Sequence, residues 1–270
     1  MPPSDNDLPT PQASNSLRRW RRSAPAVRSA ASTTLRLMPF TSTMRAGIRS
    51  VRSGAERVGN RRSHSTFDTF TPFTMIPRAR YVQNLALSSR IATVAGAIVE
   101  CGTWRGGMIA GVAKTLGPDR TYVLFDSFEG LPAARIDADG AAAVQWQADT
   151  SSPSYFNNCS AERTEAVNAM ALAGVTGADI RQGWFDDTIP VYAQRSPAIA
   201  LLRLDGDWYD STMTCLQHLF PLVAEGGLVI IDDYGVWEGC TRAVHRYLAE
   251  NERPEGIRTT SSGVAYLVKT

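Results

Sequence analysis

From about residue 75 the chain alternates short apolar runs with helix-length amphipathic stretches, the signature of βαβ units around a parallel sheet. AGAIVECG (95–102) predicts a first strand and GGMIAGVAKTLG (106–117) the helix after it. RTYVLFDS (120–127) predicts a second strand, TEAVNAMALAG (164–174) a helix, and ADIRQG (178–183) a third strand. AIALLRLDG (198–206) is nearly all apolar, as a strand covered on both faces should be, and gives the fourth. STMTCLQHLFPLV (211–223) sets Met213, Leu216, Phe220 and Val223 on one helical stripe. GGLVIIDDY (226–234) predicts a fifth strand, TRAVHRYLAEN (241–251) a helix, and the segments around GIRTT and GVAYLVKT two closing strands. The sum is an α/β fold: a doubly wound, seven-stranded, mostly parallel sheet with helices on both faces. Ligands of such sheets bind beyond the carboxyl ends of the strands, near the switch in strand order.

Residues 1–63 break this pattern. They are rich in Ser, Arg, Ala and Pro and hold 12 arginines, no lysine and three acids, whereas the remainder has 16 basic against 23 acidic residues. The expectation is a basic, disordered leader ahead of a single domain at 64–270. Any contact with an anionic surface would belong to that leader, with no specific nucleic-acid partner for the body. No secretory h-region follows the paired arginines, and no stretch approaches the length of a membrane span. Cys101, Cys159, Cys215 and Cys240 are scattered, without zinc-type spacing, and fit reduced thiols of a cytoplasmic protein. Self-association into a homo-oligomer stays open.

The strand ends carry the chemistry. Glu100-Cys101-Gly102-Thr103-Trp104-Arg105-Gly106-Gly107 is a glycine turn with an acid beside it. A pyrophosphate site wants uncharged glycines in a GxGxxG loop, so a nicotinamide oxidoreductase is disfavoured; an acid there suits the ammonium group of a methionine moiety. The second strand ends in Asp126-Ser127, where ribose hydroxyls would donate to the acid. Gly183-Trp184 follows the third strand, with the indole either an adenine platform or an ordinary packed ring. Leu204-Asp205-Gly206-Asp207 and Ile231-Asp232-Asp233-Tyr234 place acids after strongly apolar runs with no lysine close in sequence. Unpaired buried carboxylates are costly, so their convergence suggests a hard cation such as Mg²⁺; the alternative is helix capping, which Asp210 suits. Asp232 and Asp233 can share one ion only if the strand ends there, an ending that Tyr234-Gly235 would supply. His64, His218 and His245 read as surface or flanking residues.

Five of these segments, VECGTWRGG, FDSFEGLP, GWFDDTIP, LRLDGDWYDST and GGLVIIDDY, together resemble the macrocin and mycinamicin O-methyltransferase family, which methylates deoxysugar hydroxyls, over about residues 66–250. The resemblance implies a class I methyltransferase fold, S-adenosylmethionine as donor and Mg²⁺ held by aspartates. Asp205, Asp232 and Asp233 would be the metal ligands, and Asp205 also the general base toward a sugar hydroxyl. The donor site would comprise Glu100, Gly102, Thr103, Trp104, Gly107, Asp126, Ser127, Gly183 and Trp184, with Thr74 and Met75 bordering donor or acceptor. A catechol-type O-methyltransferase acting on an aromatic diol is the alternative within enzymes, since Trp104, Trp146, Trp184 and Trp208 suit rings and sugars alike. A noncatalytic interaction protein docking through its leader is the alternative from another class.

Overall fold

The computed structural model describes residues 61–195 and 197–270. The leader expected over 1–63 thus lies outside the described residues except for 61–63, which are helical together with 64–70 (α1, 61–70). Seven strands form one sheet: β1 (Ala97–Cys101), β2 (Tyr122–Asp126), β3 (Asp179–Gln182), β4 (Ile199–Leu204), β5 (Val223–Ile231), β6 (Arg258–Thr259) and β7 (Ala265–Val268). Their order is β3-β2-β1-β4-β5-β7-β6. The first five are parallel, and β7 runs antiparallel to both neighbours. The order reverses between β1 and β4, so the crevice of this sheet opens beyond Cys101 and Leu204.

Alternation within the buried strands sorts their side chains onto two cores. Ile98, Leu124, Leu201, Leu228 and Ile230 face one core with α1, α2 (Arg78–Ser88), α3 (Gly107–Leu116) and α5 (Arg163–Leu172). Val99, Phe125, Leu202, Val229 and Ile231 face the other, with α6 (Phe185–Ala193), α7 (Tyr209–Leu219) and α8 (Glu238–Glu250). The clearest amphipathic helix is α8, which buries Cys240, Ala243, Val244 and Tyr247 at helical spacing. In α1, Phe67 and Phe70 are buried, and Phe67 meets Tyr81 of α2 edge to face. No described helix is long and apolar enough to cross a membrane.

The predicted strands and helices are all present, with ends shifted by a few residues. The stripe ending in Phe220 and Val223 is buried as required, yet α7 stops at Leu219, Phe220–Leu222 make a 3₁₀ turn, and Val223 opens β5. Helix α6 is unforeseen because Pro190 lies inside it, removing an amide that a helix interior normally uses. Helix α4 (Ala141–Ala148) buries only Ala143 and so leaves no periodic trace in the sequence.

Parallel register also sets the polar residues side by side. Glu100 of β1 is paired with Arg203 of β4, and Arg203 with Ile230 of β5. Two residues further along, β1 reaches Gly102, β4 Asp205 and β5 Asp232. Gly102 has φ +86°, and a Cβ there would sit 1.7 Å from the Asp205 carbonyl oxygen. Only glycine allows the two strand ends to meet this closely. Gly102→Ala is therefore expected to cost at least about 3 kcal/mol, lowering the calorimetric Tm by roughly 6–12 °C. Gly177→Ala, whose Cβ would meet nothing within 4 Å, should stay within about 0.5 kcal/mol of the parent. Equal Tm values for the two variants would refute the close approach.

Candidate active site

A cavity of about 600 Å³ opens beyond the carboxyl ends of β1, β2, β4 and β5, within the range of small-ligand sites. Its walls include Thr74 and Met75 from the segment before α2, Trp104 and Asp126 from the first two strand ends, and Asp205, Asp207, Asp232 and Asp233 from β4 and β5.

The first loop is held by a carboxylate. Asp126 Oδ2 accepts the amides of Thr103 and Trp104, each at 2.7 Å, and Oδ1 accepts that of Phe128 at 2.7 Å. Burial pushes its pKa up while these three amides oppose the shift. A carboxylate offers about four acceptor sites, so one remains for a ligand hydroxyl. Ser127 shapes the next turn by donating to the Gly130 carbonyl at 3.0 Å. The Trp104 indole N–H is committed to Ser160 at 3.1 Å, so Trp104 offers the cavity only its ring.

The acids at the ends of β1, β4 and β5 surround Arg203, which is 2% exposed. Its Nη1 donates to Glu100 Oε1 at 2.9 Å and to Asp205 Oδ2 at 2.7 Å, and its Nη2 to Asp232 Oδ1 at 2.6 Å. Burial works against the guanidinium charge, but Asp205, Asp232 and Glu100 together hold it protonated. Arg80 of α2 adds a second cation, donating to the Asp232 carbonyl and standing 3.7 Å from its carboxylate. The inference from sequence that these acids lack a basic partner is therefore corrected: Arg203, two residues before Asp205, and Arg80 pair with Asp205 and Asp232.

Two cations do not balance five carboxylates. Asp207 receives only the Trp237 indole N–H, at 2.7 Å, and Asp233 the Asp207 amide, at 3.0 Å. Burial, with Asp205 next, raises Asp207 to about 7, and burial, with Asp207 next, pushes Asp233 well above the carboxylate range. Burial likewise lifts Asp205 to about 6 and Glu100 to about 8, each against the pull of Arg203. Near neutral pH such a cluster takes up protons unless another cation is supplied. One oxygen from each of Asp205, Asp232 and Asp233 lies within 4.8 Å of the others. Strand β5 ends at Ile231 and the chain turns through 232–236, which is what lets neighbouring aspartates face one point. The donor set is all oxygen and net negative, as a hard divalent ion requires.

The remaining expected residues divide. Glu100, Gly102, Thr103, Trp104, Asp126, Ser127 and Trp184 line the cavity; Gly107 and Gly183 do not. Gly107 packs under the Phe73 carbonyl, where a Cβ would approach to 2.4 Å. Asp210 does not cap α7: it pairs with Arg135 at 2.8 Å, and Asp139 Oδ1 accepts the Tyr209 amide at 2.8 Å instead. None of the histidines lines the cavity, and the four cysteines are free.

Sequence reasoning missed Arg203, Arg80 and Asp139; the segment 133–160, expected to cover the acceptor but without a distinctive pattern, contributes Ala133, Arg135, Asp139, Phe156 and Cys159 to the cavity. Trp146, from α4 in that segment, stacks edge-on with Trp208 and Trp237 at 6.1 and 5.9 Å, behind Asp207. Phe156, Asn157, Asn158 and Cys159 have φ between +49° and +60°, a left-handed turn that brings Phe156 and Cys159 to the cavity. The tryptophans of 146 and 208 were visible as residue types; the turn carried only the weak signal of the Asn157-Asn158 pair, since asparagine tolerates the left-handed region.

Comparison with known proteins gives these features a context. The sequence model of the macrocin-O-methyltransferase (TylF) family matches residues 26–267. The 8-demethyl-8-(2,3-dimethoxy-alpha-L-rhamnosyl)-tetracenomycin-C 4'-O-methyltransferase of Streptomyces olivaceus is 37% identical over 161 residues, 57% of this chain and 58% of that one. The mycinamicin III 3''-O-methyltransferase of Micromonospora griseorubida is 32% identical over 63% of this chain and 67% of its own length. This chain thus matches little more than half to two thirds of these relatives. The solved O-methyltransferase NovP superposes with a TM-score of 0.61 at 29% identity, covering 73% of this chain and 82% of that one.

The Asp126 clamp is directly testable. Asp126→Ala strands three amides at the cavity wall and is expected to cost on the order of 3 kcal/mol, a fall in Tm of roughly 6–12 °C by calorimetry. Asp126→Asn keeps one acceptor oxygen and should lose less. An alanine variant as stable as the parent would show that the loop holds itself.

Proposed function

The chain belongs to the macrocin-O-methyltransferase family, and from that premise we propose that it moves a methyl group from S-adenosylmethionine to a hydroxyl of a sugar or glycosylated metabolite, assisted by Mg²⁺. The observation that carries this reading is the Asp205, Asp232 and Asp233 triad facing the same cavity as the Glu100–Asp126 loop. A sugar acceptor is favoured over an aromatic diol because the tetracenomycin relative is named for a rhamnosyl substrate.

The residues present fit both absent groups. Glu100 Oε2 is buried and has no hydrogen-bond partner, an unmet acceptor that the donor's ammonium group would satisfy. Asp126 keeps an acceptor site for a ribose hydroxyl, and Trp184, 38% exposed at the cavity, offers its face to an adenine. Asp205, Asp232 and Asp233 would hold the Mg²⁺. S-Adenosylmethionine supplies an already activated methyl group, and Mg²⁺ supplies charge that makes a nearby hydroxyl more acidic.

The protein's own task is then alignment and removal of one proton. Asp205 is placed for the second part: it is partly exposed to the cavity, and burial makes it more basic than an ordinary aspartate while Arg203 keeps it ionised near neutral pH. Arg203 also fixes its orientation through Oδ2. The cover formed by Phe156, Leu131 and Trp208 limits water at the reacting hydroxyl.

Chelation with EDTA is expected to abolish turnover, and added Mg²⁺ to restore it, in a mass-spectrometric assay with isotopically labelled donor and glycosylated acceptors. Asp205→Asn should lower turnover by roughly 10²–10⁴-fold, while S-adenosylhomocysteine still binds. Asp232→Asn and Asp233→Asn should raise the Mg²⁺ concentration for half-maximal rate, and Asp210→Asn, on the exposed Arg135 pair, should be mild. Full activity in EDTA, with metal analysis finding no bound ion, would overturn the metal-assisted mechanism.

A further inference from the structure

We propose that Arg203 couples the donor and metal halves of the site, so that binding of the methionine ammonium group and of the divalent cation are mutually antagonistic. The inference rests on the donor and Mg²⁺ sites argued above. It is carried by the way one guanidinium is shared. The two Nη1 protons of Arg203 are spent on opposite sides, one on Glu100 at 2.9 Å and one on Asp205 at 2.7 Å, while Nη2 serves Asp232 at 2.6 Å. Its Nε points to Asn84 Oδ1 at 3.4 Å, and the side chain is 2% exposed, so solvent cannot replace any of these partners.

A cation held by Asp205 and Asp232 takes over the negative charge that Arg203 otherwise shares with them. Glu100 then remains as the anionic neighbour of Arg203, and its charge is less available to an incoming ammonium group. The converse follows by linkage: an ammonium group on Glu100 leaves Arg203 to compete for Asp205 and Asp232, which weakens the cation by the same factor. Arg80 does not relieve the competition, because it reaches Asp232 and not Glu100.

The test is titration calorimetry of the full chain with S-adenosylhomocysteine, which keeps the ammonium group but lacks the sulfonium charge, in EDTA and in saturating Mg²⁺. Mg²⁺ is expected to weaken its binding about fivefold or more. 5′-Deoxy-5′-methylthioadenosine, which has the nucleoside but no ammonium group, should bind equally in both conditions. Glu100→Gln retains the shape and an acceptor oxygen for Arg203 but removes the shared charge, so its S-adenosylhomocysteine affinity should be nearly insensitive to Mg²⁺. Arg203→Lys, which cannot span three carboxylates, should show a reduced effect where it folds. Equal S-adenosylhomocysteine affinity with and without Mg²⁺ in the parent, or the same Mg²⁺ effect in Glu100→Gln or on methylthioadenosine, would overturn the coupling. Failure of either Mg²⁺ or S-adenosylhomocysteine to bind at all would instead overturn the site assignment and the coupling with it.

Discussion

A guanidinium with almost no access to water sits in the central strand of this sheet, and the active-site geometry follows from where its charge is satisfied. Arg203 is 2% exposed and ion-paired with Glu100, Asp205 and Asp232. An isolated arginine in this position would be prohibitively costly, and three isolated carboxylates equally so. Together they are tolerable because parallel register already places Glu100 beside Arg203 and brings Asp205 and Asp232 one step further along the same face. The network adds little to stability compared with an apolar packing of equal volume. Its contribution is orientation: each carboxylate is held in one rotamer by a donor that cannot itself move into solvent.

The sheet was legible because buried parallel strands are written as unbroken apolar runs, and IALLRL and GGLVII could hardly be anything else. Acids directly after such runs were legible as a site for the same reason. Arg203 is equally visible inside the run, but pairing in a sheet is lateral, so its partners are not marked by spacing along the chain. The sequence signal was available: a lone charge within a strand covered on both faces must be paired, and the nearest partners are on the neighbouring strands. Asp126 teaches a related point. Its type and position pointed to a ligand, but most of its acceptor capacity goes to the backbone of the adjoining loop.

What stayed illegible is the cover of the cavity. Helix α4 fully buries only Ala143, so no period marks it. Helix α6 contains Pro190, which reads as a stop. The run Phe156–Cys159 takes a left-handed conformation in four successive non-glycine residues, one that Asn157 and Asn158 tolerate but that costs Phe156 and Cys159 roughly 1–2 kcal/mol each. Local propensity therefore argues against the observed shape, and only tertiary contacts can hold it. Asn158 supplies some of them: its amide donates to the Leu131 carbonyl at 2.8 Å, its side-chain oxygen accepts from Gln147 at 2.9 Å, and its backbone carbonyl accepts the Leu131 amide at 3.0 Å.

That contrast assigns different tasks to the two halves of the site. The floor, made of strand ends, is fixed by register, by Gly102 and by charge pairing, so its geometry follows from the sheet itself. The cover is built from segments whose conformation depends on one another, with Gln147 and Asn158 tying α4 to the left-handed turn, and Trp146 tying α4 to Trp208 and Trp237. Changes in the cover can reshape the cavity mouth without disturbing the carboxylates, because among the described residues the polar link from the tryptophan group to the acids is Trp237 to Asp207. On the proposed function, this separation would leave the strand-end floor to the donor and the proton transfer and the cover to shape the acceptor pocket.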